Sequence, residues 1–508
     1  MSSEWVGGRR EWDRREFLLW SAKTGALLAG ASAIELMASA CSKRIAVPDG
    51  KWNIVFILAD DMGWNQVGYH GVTSFYETPN IDRIAREGMY FTNAYAAAPV
   101  CSPTRASIMT GKYPARLHIT DYIPGNSYPY ARLRTPEWTK ALPLEEMTLA
   151  EMLKRAGYAT GHFGKWHLNY DYNYRPGRPG DPDTQGFDVV LTNVKPEPDA
   201  DPERDAHHVV EITEHTLDFI ENNKDRPFFA YVAHHVVHRP LLESKDWVQR
   251  YQTKTRLDNP VHNPVMGAMI ERMDWGIGKI LRRLEELGLA ERTLVVFMSD
   301  NGNVKALEDQ YPFRGGKAML YEGGIRVPLA IRWPGVVKPG SVCSTPVISN
   351  DFFPTFAEIA GMSHLARDVD GVSLVPLLRG GKRLDRDALY WHYPHYHRQG
   401  FKPCGAIRAG QYKLIEWYEP TLLGEEHQID LYNLEEDPGE TRNLAEEMPE
   451  KAKELREKLH AWRRSVGAQE MTVNPDYDPE KADWPEADTP PPKPAVWSNE
   501  IAAFLGAD

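Results

Sequence analysis

Short runs of apolar and β-branched residues alternate along this chain with stretches of helical periodicity. The first run, at residues 53–58, predicts a buried strand. Thr78-Pro79 and Gly88 predict a helix between them, because proline suits the first helical position and glycine suits the C-terminal end. Three more strands are predicted at residues 158–163, 228–233 and 293–298. Strands that alternate with helices favour an α/β fold with a mostly parallel sheet.

Polar side chains follow the ends of these predicted strands. They are Asp60, Asp61, Lys165, His167, His238, Asp300 and Asn301. Open parallel sheets bind their ligands beyond the carboxyl ends of the strands. Because loops after strands are often polar, the pattern indicates a candidate site without identifying its chemistry.

From about residue 385 the pattern changes. Residues 406–408 and 413–417 predict antiparallel strands around Gly410, and a charged helix is predicted at about 447–462. We therefore expect a main α/β domain at 50–384 and a small C-terminal α+β subdomain with an antiparallel sheet at 385–470. Residues 471–508 are expected to form a Pro-rich tail that wraps the surface or stays mobile.

The N-terminal residues 1–40 are typical of an export signal. Arg14-Arg15 precede a modest apolar run at 26–34, as in twin-arginine signals, and the run is too short for a transmembrane helix. The alternative is an amphipathic helix that docks on the domain. The string Ala38-Ser39-Ala40-Cys41 fits either a cleavage site or a lipobox with Cys41 lipidated. We expect an exported protein of the bacterial periplasm or cell surface, with membrane contact only through a lipid anchor at Cys41.

Charge and cysteine content narrow the function classes. A formal net charge of −12 over 508 residues argues against a nucleic-acid partner, which needs clustered Lys and Arg. An anionic substrate would have to be attracted by a local basic pocket. The four cysteines are too few for a disulfide framework. Cys343 and Cys404 could pair after export or remain as two buried thiols.

The segment Cys101-Ser102-Pro103-Thr104-Arg105 is the most informative one. Pro103 suits a first helical turn and Gly111 an end, so Cys101 is predicted at the positive N-terminal end of a helix. Taken alone, a cysteine beside Arg105 is either a structural thiol or a nucleophile with a lowered pKa.

The longer string from Cys101 to Gly111-Lys112 resembles the signature of the formylglycine-dependent (type I) sulfatases. The C-x-P-x-R core of that signature directs oxidation of the cysteine to formylglycine. The resemblance covers about residues 52–470, with the motifs in the family's order. It implies an alkaline-phosphatase-like α/β/α sandwich, formylglycine made from Cys101, and a formylglycine-generating maturation enzyme as a partner.

The resemblance also assigns a metal site. Its ligands would be Asp60, Asp61, residue 101, Asp300 and Asn301. Carboxylate and amide oxygens are the ligands that Ca²⁺ requires, so one Ca²⁺ per chain is expected. Ca²⁺ would hold a sulfate oxygen and favour ionisation of the attacking hydroxyl.

The remaining catalytic residues are implied in the same way. Lys165 and Lys317 would neutralise charge on the sulfate oxygens, and Arg105 would hold residue 101 and the carboxylates. His238 would protonate the departing sugar oxygen. His167 would take the proton of the formylglycine diol when sulfate is eliminated.

The expected substrate is a carbohydrate sulfate. Residues 63–65 and 67–71 resemble the arylsulfatase B and N-acetylgalactosamine-sulfatase branch, as does the run 110–125 with Asp121. This implies O-sulfated galactose or N-acetylgalactosamine in a polysaccharide or glycosaminoglycan. Sugar-contact candidates are His118, His392, His395 and His397. The alternative for the aromatic stretch 391–397 is a packing seam.

Two rival functions stay open at this point. One is a phosphate or phosphonate monoester hydrolase of the same superfamily, which can use the same formylglycine and cation. The other is a noncatalytic, lipid-anchored glycan-binding protein. Such proteins normally lack one or more of the nucleophile, metal or lysine positions, and none of these is missing here.

Overall fold

A computed structural model of the protein describes residues 51–254, 262–399 and 401–482. The predicted export signal at 1–40, Cys41 and the end of the tail from residue 483 lie outside the described residues.

The described strands lie close to where the apolar runs predict them. They are β1 Asn53–Ala59, β2 Met89–Phe91, β3 Ala94–Tyr95, β4 Leu133–Arg134, β5 Ala159–Gly164, β6 Val189–Thr192, β7 Phe228–Ala233, β8 Thr293–Ser299, β9 Leu329–Arg332, β10 Ser341–Cys343, β11 Val347–Ile348, β12 Leu389–Tyr393, β13 Cys404–Ala409, β14 Tyr412–Trp417, β15 Ile429–Asn433 and β16 Thr472–Val473.

The described helices alternate with these strands over most of the chain. They are α1 Pro79–Glu87, α2 Cys101–Thr110, α3 Pro114–Leu117, α4 Leu149–Arg155, α5 Val209–Asn222, α6 Lys245–Gln252, α7 Pro264–Glu286, α8 Glu322–Ile325, α9 Phe352–Ile359, α10 Val375–Leu378, α11 Tyr418–Leu423 and α12 Pro449–Ser465. None of them is long and apolar enough to cross a membrane.

The large sheet confirms the prediction of a mostly parallel arrangement. Its eight strands run in the order β10-β2-β9-β8-β1-β7-β5-β6. The strands from β8 to β6 are parallel, and β9 is antiparallel to both of its neighbours. Because the central strands are buried on both faces, they are apolar throughout rather than alternating.

Strand β1 shows how the two faces are covered. Ile54, Phe56 and Leu58 pack into a core with residues of α2, α4 and α9. Val55 and Ile57 point to the other face and pack with residues of α1, α5 and α7. Side chains alternate between faces along a strand, so one strand contributes to both cores. The result is the α/β/α sandwich.

The C-terminal residues form the small antiparallel sheet that the sequence predicts. Strands β12 to β15 pair in chain order, with the turn between β13 and β14 at Gly410, and α12 packs against them. Gly410 has φ +57°, a left-handed conformation that glycine adopts without strain.

A buried charge group lies on the seam between this sheet and the main domain. Lys413 Nζ lies 3.0 Å from Glu322 Oε1 and 2.8 Å from Glu440 Oε1. The Glu322 backbone N–H donates to Glu440 Oε2 at 2.7 Å, and the Tyr95 hydroxyl donates to Glu322 Oε2 at 2.7 Å. All three charged side chains are 0% exposed. We call Glu322, Lys413 and Glu440 the seam cluster.

The first part of the tail is bound to the main domain. Thr472–Val473 pairs with Leu133–Arg134, and the Asn474 side chain donates to the carbonyls of Pro129 and Ala131. Of the two alternatives for Cys343 and Cys404, the structure supports the thiols, since both are buried and free.

Candidate active site

The carboxylates of the site meet because β1 and β8 are neighbours in register. Ala59 lies opposite Ser299, so Asp60 and Asp61 leave one strand where Asp300 and Asn301 leave the other. The Asp61 backbone N–H donates to Asp300 Oδ1 at 3.1 Å. Asp61 has φ +64°, a strained conformation for a residue with a side chain and one that is concentrated at functional sites.

Lys165 directly follows the end of β5. Its backbone N–H donates to the Ala233 carbonyl at 2.8 Å, and its ammonium lies 2.7 Å from Asp60 Oδ2. Gly164 precedes it with φ +108°, and a Cβ there would lie 2.0 Å from the Ala233 oxygen. Only glycine therefore allows β5 to approach β7 closely enough at this point.

Cys101 begins α2, as predicted, and Gly111 ends that helix in a left-handed conformation. Cys101 is 1% exposed, and its sulfur lies 3.4 Å from Asp60 Oδ1 and 3.8 Å from Asp61 Oδ1. One turn further on, Arg105 Nε donates to Asp300 Oδ2 at 2.9 Å, and its Nη1 donates to the Lys165 carbonyl at 2.9 Å.

Lys317 comes from a loop that is fixed by backbone hydrogen bonds. The Lys317 N–H donates to the Asn303 carbonyl at 2.8 Å, and the next residue, Ala318, donates to the Pro99 carbonyl at 2.8 Å. The ammonium donates to Asp61 Oδ1 at 2.6 Å and Oδ2 at 2.8 Å, and lies 3.4 Å from the Cys101 sulfur. We call Asp60, Asp61, Asp300, Arg105, Lys165 and Lys317 the catalytic cluster.

The charges in this cluster stabilise one another. Burial alone would neutralise Asp60, but Lys165, His238, Arg105 and Lys317 hold its pKa well below its usual value. Burial and the charge of Asp60 raise the pKa of Asp300 to about 6, against the effect of Arg105. Burial disfavours the charge of Lys317, yet the carboxylates around it raise its pKa. Burial likewise disfavours the charge of Lys165, yet Asp60 raises its pKa above the usual value, so both lysines stay cationic near the nucleophile position.

One alternative for Cys101 is not supported. Burial first, and then the charge of Asp300, raise the pKa of the Cys101 thiol although two lysines are near it. A cysteine with a lowered pKa is therefore wrong for this site, because burial and the carboxylates outweigh the cations and the helix N-terminus.

The residues present fit a divalent cation. Ligand atoms of Asp60, Asp61, Cys101 and Asp300 all lie within 4.8 Å of one another. Asn301 donates through Nδ2 to Asp61 Oδ1, while its buried Oδ1 has no hydrogen-bond partner among the described residues. An amide oxygen left over beside three carboxylates is a donor set for a hard cation such as Ca²⁺.

The two predicted catalytic histidines are each held by a backbone carbonyl. His167 Nε2 donates to the Ile123 carbonyl at 2.6 Å, and its ring packs 4.9 Å from that of Tyr172. His238 Nε2 lies 3.8 Å from Asp61 Oδ2, and its Nδ1 donates to the Arg239 carbonyl at 2.7 Å. Burial first, and then Lys165 for His167 and Lys317 for His238, lower both pKa values well below the usual range.

The sugar-contact candidates separate into two groups. His392 is buried and bonded to the Tyr418 hydroxyl and the Gln469 carbonyl, and buried His395 is bonded to Thr120. For these two residues the structure supports the packing alternative. His118 bonds the Gly467 carbonyl. By contrast, His397 is half-buried, and its ring packs 5.9 Å from the Tyr122 ring. Burial first, and then the charge of Lys317, lower its pKa, so it lies on the side of the catalytic cluster.

Sequence reasoning missed two residues beside the cluster. Ser102 Oγ accepts the Ile123 N–H at 3.0 Å, and the Tyr172 hydroxyl donates to the Ile123 carbonyl at 3.0 Å, so both fix the loop that orients His167. Tyr172 lies in an irregular loop with no periodic signal. For Ser102, the only signal in the sequence was its position beside Cys101.

This centre, with lysines, arginine and carboxylates gathered around one buried position at the strand ends, is that of an alkaline-phosphatase-like ester hydrolase. A sequence model of the sulfatase family matches residues 52–362, and the chain belongs to this family. It is accordingly a sulfuric ester hydrolase. A second model, described as N-sulphoglucosamine sulphohydrolase, C-terminal, matches residues 315–465.

Individual relatives agree with this assignment. A sulfatase of Formosa agariphila is 32% identical over 84% of this chain and 91% of its own. Human N-acetylgalactosamine-6-sulfatase is 33% identical over 67% of this chain and 68% of its own. The crystal structure of Ps i-CgsB in complex with k-i-k-neocarrahexaose superposes with a TM-score of 0.69 at 25% identity, covering 85% of this chain and 97% of that one.

Proposed function

We propose that this protein removes sulfate from O-sulfated galactose or N-acetylgalactosamine units of a sulfated polysaccharide or glycosaminoglycan, with formylglycine at position 101 and one Ca²⁺. The observation that carries the proposal is the setting of residue 101. Its sulfur lies 3.4 Å from both the Lys317 ammonium and Asp60 Oδ1, at the N-terminus of α2. Positively charged side chains and oxygen ligands suited to a metal thus lie together around residue 101, where the nucleophile is expected.

Formylglycine explains why a buried residue with a raised thiol pKa occupies this position. In its hydrated form, one hydroxyl attacks sulfur, and loss of the proton from the other reforms the carbonyl and expels sulfate. Asp60, Asp61, Asp300 and Asn301 would hold Ca²⁺, which supplies positive charge beside the sulfate oxygens. Lys165 and Lys317 are already fixed by carboxylates, so they can stabilise the developing charge without reorganising.

His167 is suited to act as the base. A carbonyl oxygen only accepts hydrogen bonds, so the Nε2 that contacts the Ile123 carbonyl carries the proton. The neutral ring then has its lone pair on Nδ1, which has no hydrogen-bond partner among the described residues. That nitrogen is free to take a proton from residue 101.

His238 is suited to act as the acid only with substrate bound. Its Nδ1 carries a proton for the Arg239 carbonyl, so in the neutral ring Nε2 is unprotonated. An anionic sulfate beside it counteracts the charge of Lys317 and raises its pKa. The protonated Nε2 then donates to the departing sugar oxygen.

The carbohydrate class is supported by the relatives. The N-acetylgalactosamine-6-sulfatases of human and dog are 33% and 32% identical to the chain. The Ps i-CgsB complex contains k-i-k-neocarrahexaose. His397, which packs against Tyr122 and is influenced by the charge of Lys317, is the histidine we propose for contact with the sugar.

The first test is the mass of the peptide that contains residue 101, from protein co-expressed with a formylglycine-generating enzyme. We expect an aldehyde that a hydrazide traps, and activity on aryl sulfate that is lost in Cys101→Ala. An intact thiol in an active preparation would refute the formylglycine mechanism. A kcat/KM that is higher for aryl phosphate than for aryl sulfate would instead favour the phosphate monoester alternative.

We also propose that residues 1–40 export the protein to the periplasm or cell surface. Arg14→Lys/Arg15→Lys should retain it in the cytoplasm in a fractionation experiment, and Cys41→Ser should release it from the membrane fraction if Cys41 is lipidated. Unchanged fractionation of the double Lys variant would refute twin-arginine export.

A further inference from the structure

Three exposed cations, Lys195, Arg239 and Arg398, come from separate segments that border the catalytic cluster. The chain as a whole carries a net charge of −12, so a group of cations at this place is not an average property of its surface. None of the three is needed for the metal site or the nucleophile described above.

Lys195 is placed by the sheet. Strand β6 is parallel to β5, and Thr192 lies opposite Gly164 in the register. Lys165 and Lys195 therefore leave neighbouring strands at the same edge. The segment is anchored by the contact of the Asn193 side-chain oxygen with His235 Nε2 at 2.9 Å, just beyond β7.

Arg239 is placed by the catalytic histidine. It follows His238, and its carbonyl accepts the His238 Nδ1 proton. Arg239 is therefore the chain neighbour of His238, whose Nε2 lies 3.8 Å from Asp61 Oδ2.

Arg398 is placed by a turn after β12. The His397 N–H donates to the Phe401 carbonyl at 3.3 Å, and the Gln399 N–H donates to His397 Nδ1 at 3.2 Å. The His397 ring faces Tyr122, the neighbour of the residue whose carbonyl fixes His167.

Arg239 and the catalytic Lys317 each act on the charge of both Lys195 and His397. Partial burial, and then the charges of Lys165, Arg239 and Lys317, lower the pKa of Lys195. Burial, and then Lys317, Arg239 and Arg398, lower the pKa of His397 to about 3. In the described part of the chain no carboxylate forms an ion pair with Lys195 or Arg398. The surface beside the catalytic cluster therefore carries two cations, Lys195 and Arg398, that are available to a ligand.

We propose that Lys195, Arg239 and Arg398 form a second anion subsite, which holds a further sulfate or carboxylate group of the saccharide whose sulfate ester lies in the catalytic cluster. This inference rests on the proposed function. Lysine supplies a point charge, and the planar arginine forks match the two oxygens of a sulfate or carboxylate. The substrate class is thus a saccharide with at least two anionic groups.

The test compares kcat/KM for disaccharides that differ only in charge. One carries a single sulfate, a second carries two sulfates, and a third carries one sulfate and a uronate carboxylate. We expect the parent enzyme to prefer the two doubly charged substrates. Lys195→Ala and Arg398→Ala should each lower that preference about three- to fivefold, as expected for exposed charge pairs. The double variant should lower it about tenfold.

The matched control is Lys338→Ala, an exposed lysine on the segment before β10. It should leave the preference at the parental value. About 0.5 M salt should reduce the preference of the parent and have little effect on the double variant, because exposed charges are screened. Loss of preference for the disulfated substrate alone identifies sulfate as the second group, and loss for the uronate substrate alone identifies the carboxylate.

Failure of this proposal differs from failure of the proposed function. If the matured parent does not hydrolyse aryl sulfate, the proposed function is wrong. If it does, but the parent shows no preference or the double variant keeps the parental one, the second subsite is wrong and sulfatase activity stands.

Discussion

The catalytic cluster and the seam cluster contain the same kinds of groups, and the segment Lys317–Glu322 supplies both. In each, lysines lie within 3.0 Å of carboxylates. Lys413 is 0% exposed, whereas the side chains of Lys165 and Lys317 keep 7% and 9%. Beside the catalytic cluster, Asn301 Oδ1 and His167 Nδ1 lack partners among the described residues.

The difference teaches that buried ion pairs do not by themselves mark a reactive site. Lys413 and the two glutamates bind one another on the seam between the small sheet and the main domain. The catalytic lysines keep a small exposed fraction, and among the described residues an amide oxygen and an imidazole nitrogen beside them have no hydrogen-bond partner. What distinguishes the catalytic cluster is the remaining capacity for a ligand.

The largest effect is expected from Lys317→Ala in the matured enzyme. Loss of one preorganised cation should lower kcat by about 10²- to 10³-fold on aryl sulfate. Thermal stabilisation by added Ca²⁺ should persist or increase, because Lys317 shares Asp61 with the proposed metal. Lys338→Ala is the control for both measurements. Loss of Ca²⁺ stabilisation in Lys317→Ala would show that the lysine builds the metal site instead.

Lys413→Met should act on stability. It leaves Glu322 and Glu440 buried without a counter-charge, which costs about 3–5 kcal/mol of the free energy of unfolding in urea. Adding Glu322→Gln and Glu440→Gln should recover part of this loss. Lys453→Met, an exposed position on α12, is the control. Equal unfolding free energies for Lys413→Met and its control would mean that the seam cluster contributes no stability.

Glu440→Gln should change how stability depends on pH. Burial, opposed by Lys413 and reinforced by Glu322, raises the pKa of Glu440 from 4.5 to about 7. Between these values the folded state holds a proton that the unfolded state has lost, so the contribution of Glu440 is present below pH 4.5 and is lost as pH rises through 7.

Glutamine does not titrate. The unfolding free energy of the parent relative to Glu440→Gln should therefore fall by about 1–3 kcal/mol between pH 5 and 8. Exposed Glu436→Gln should show no such change. A difference that is constant with pH would contradict the raised pKa.

The smallest effect is expected from Tyr95→Phe. It removes the hydroxyl that donates to Glu322 Oε2 at 2.7 Å and should cost about 1–2 kcal/mol in unfolding free energy. Tyr90→Phe, at a half-buried ring without this bond, is the matched control and should change stability by less than about 0.5 kcal/mol. Equal losses in both variants would show that the Tyr95 hydroxyl does not contribute to the stability of the seam cluster.

The sequence predicted the parts of this molecule that have strong local signals. Residues 53–58 are apolar throughout and form β1, and Cys101 begins a helix that Gly111 ends. The proposed metal ligands and lysines come from the family motifs, and the structure brings Asp60, Asp61, Asp300, Lys165 and Lys317 close together. Strand pairing was not predictable, because neighbours such as β1 and β8 are separated by more than 230 residues.

Long-range charge contacts were missed for a physical reason. Lys413 and Glu440 resemble surface residues in the sequence, since Lys and Glu are rarely fully buried unless they are paired. Only the folded chain shows that they are partners of Glu322. The same holds for Lys195, whose place beside Lys165 depends on the pairing of β5 with β6. His392 and His395 show the reverse case, in which an aromatic stretch with an apparent role in binding is used for packing.

The burial of Cys101 has a consequence for the order of events during synthesis. Lys317, which covers the sulfur, lies 216 residues further along the chain. At ordinary translation rates this separation corresponds to about 10–40 s. In the finished protein residue 101 is 1% exposed. An enzyme that modifies Cys101 therefore has to act on the nascent or unfolded chain, and the time available to it is set by how far along the chain the covering residues lie.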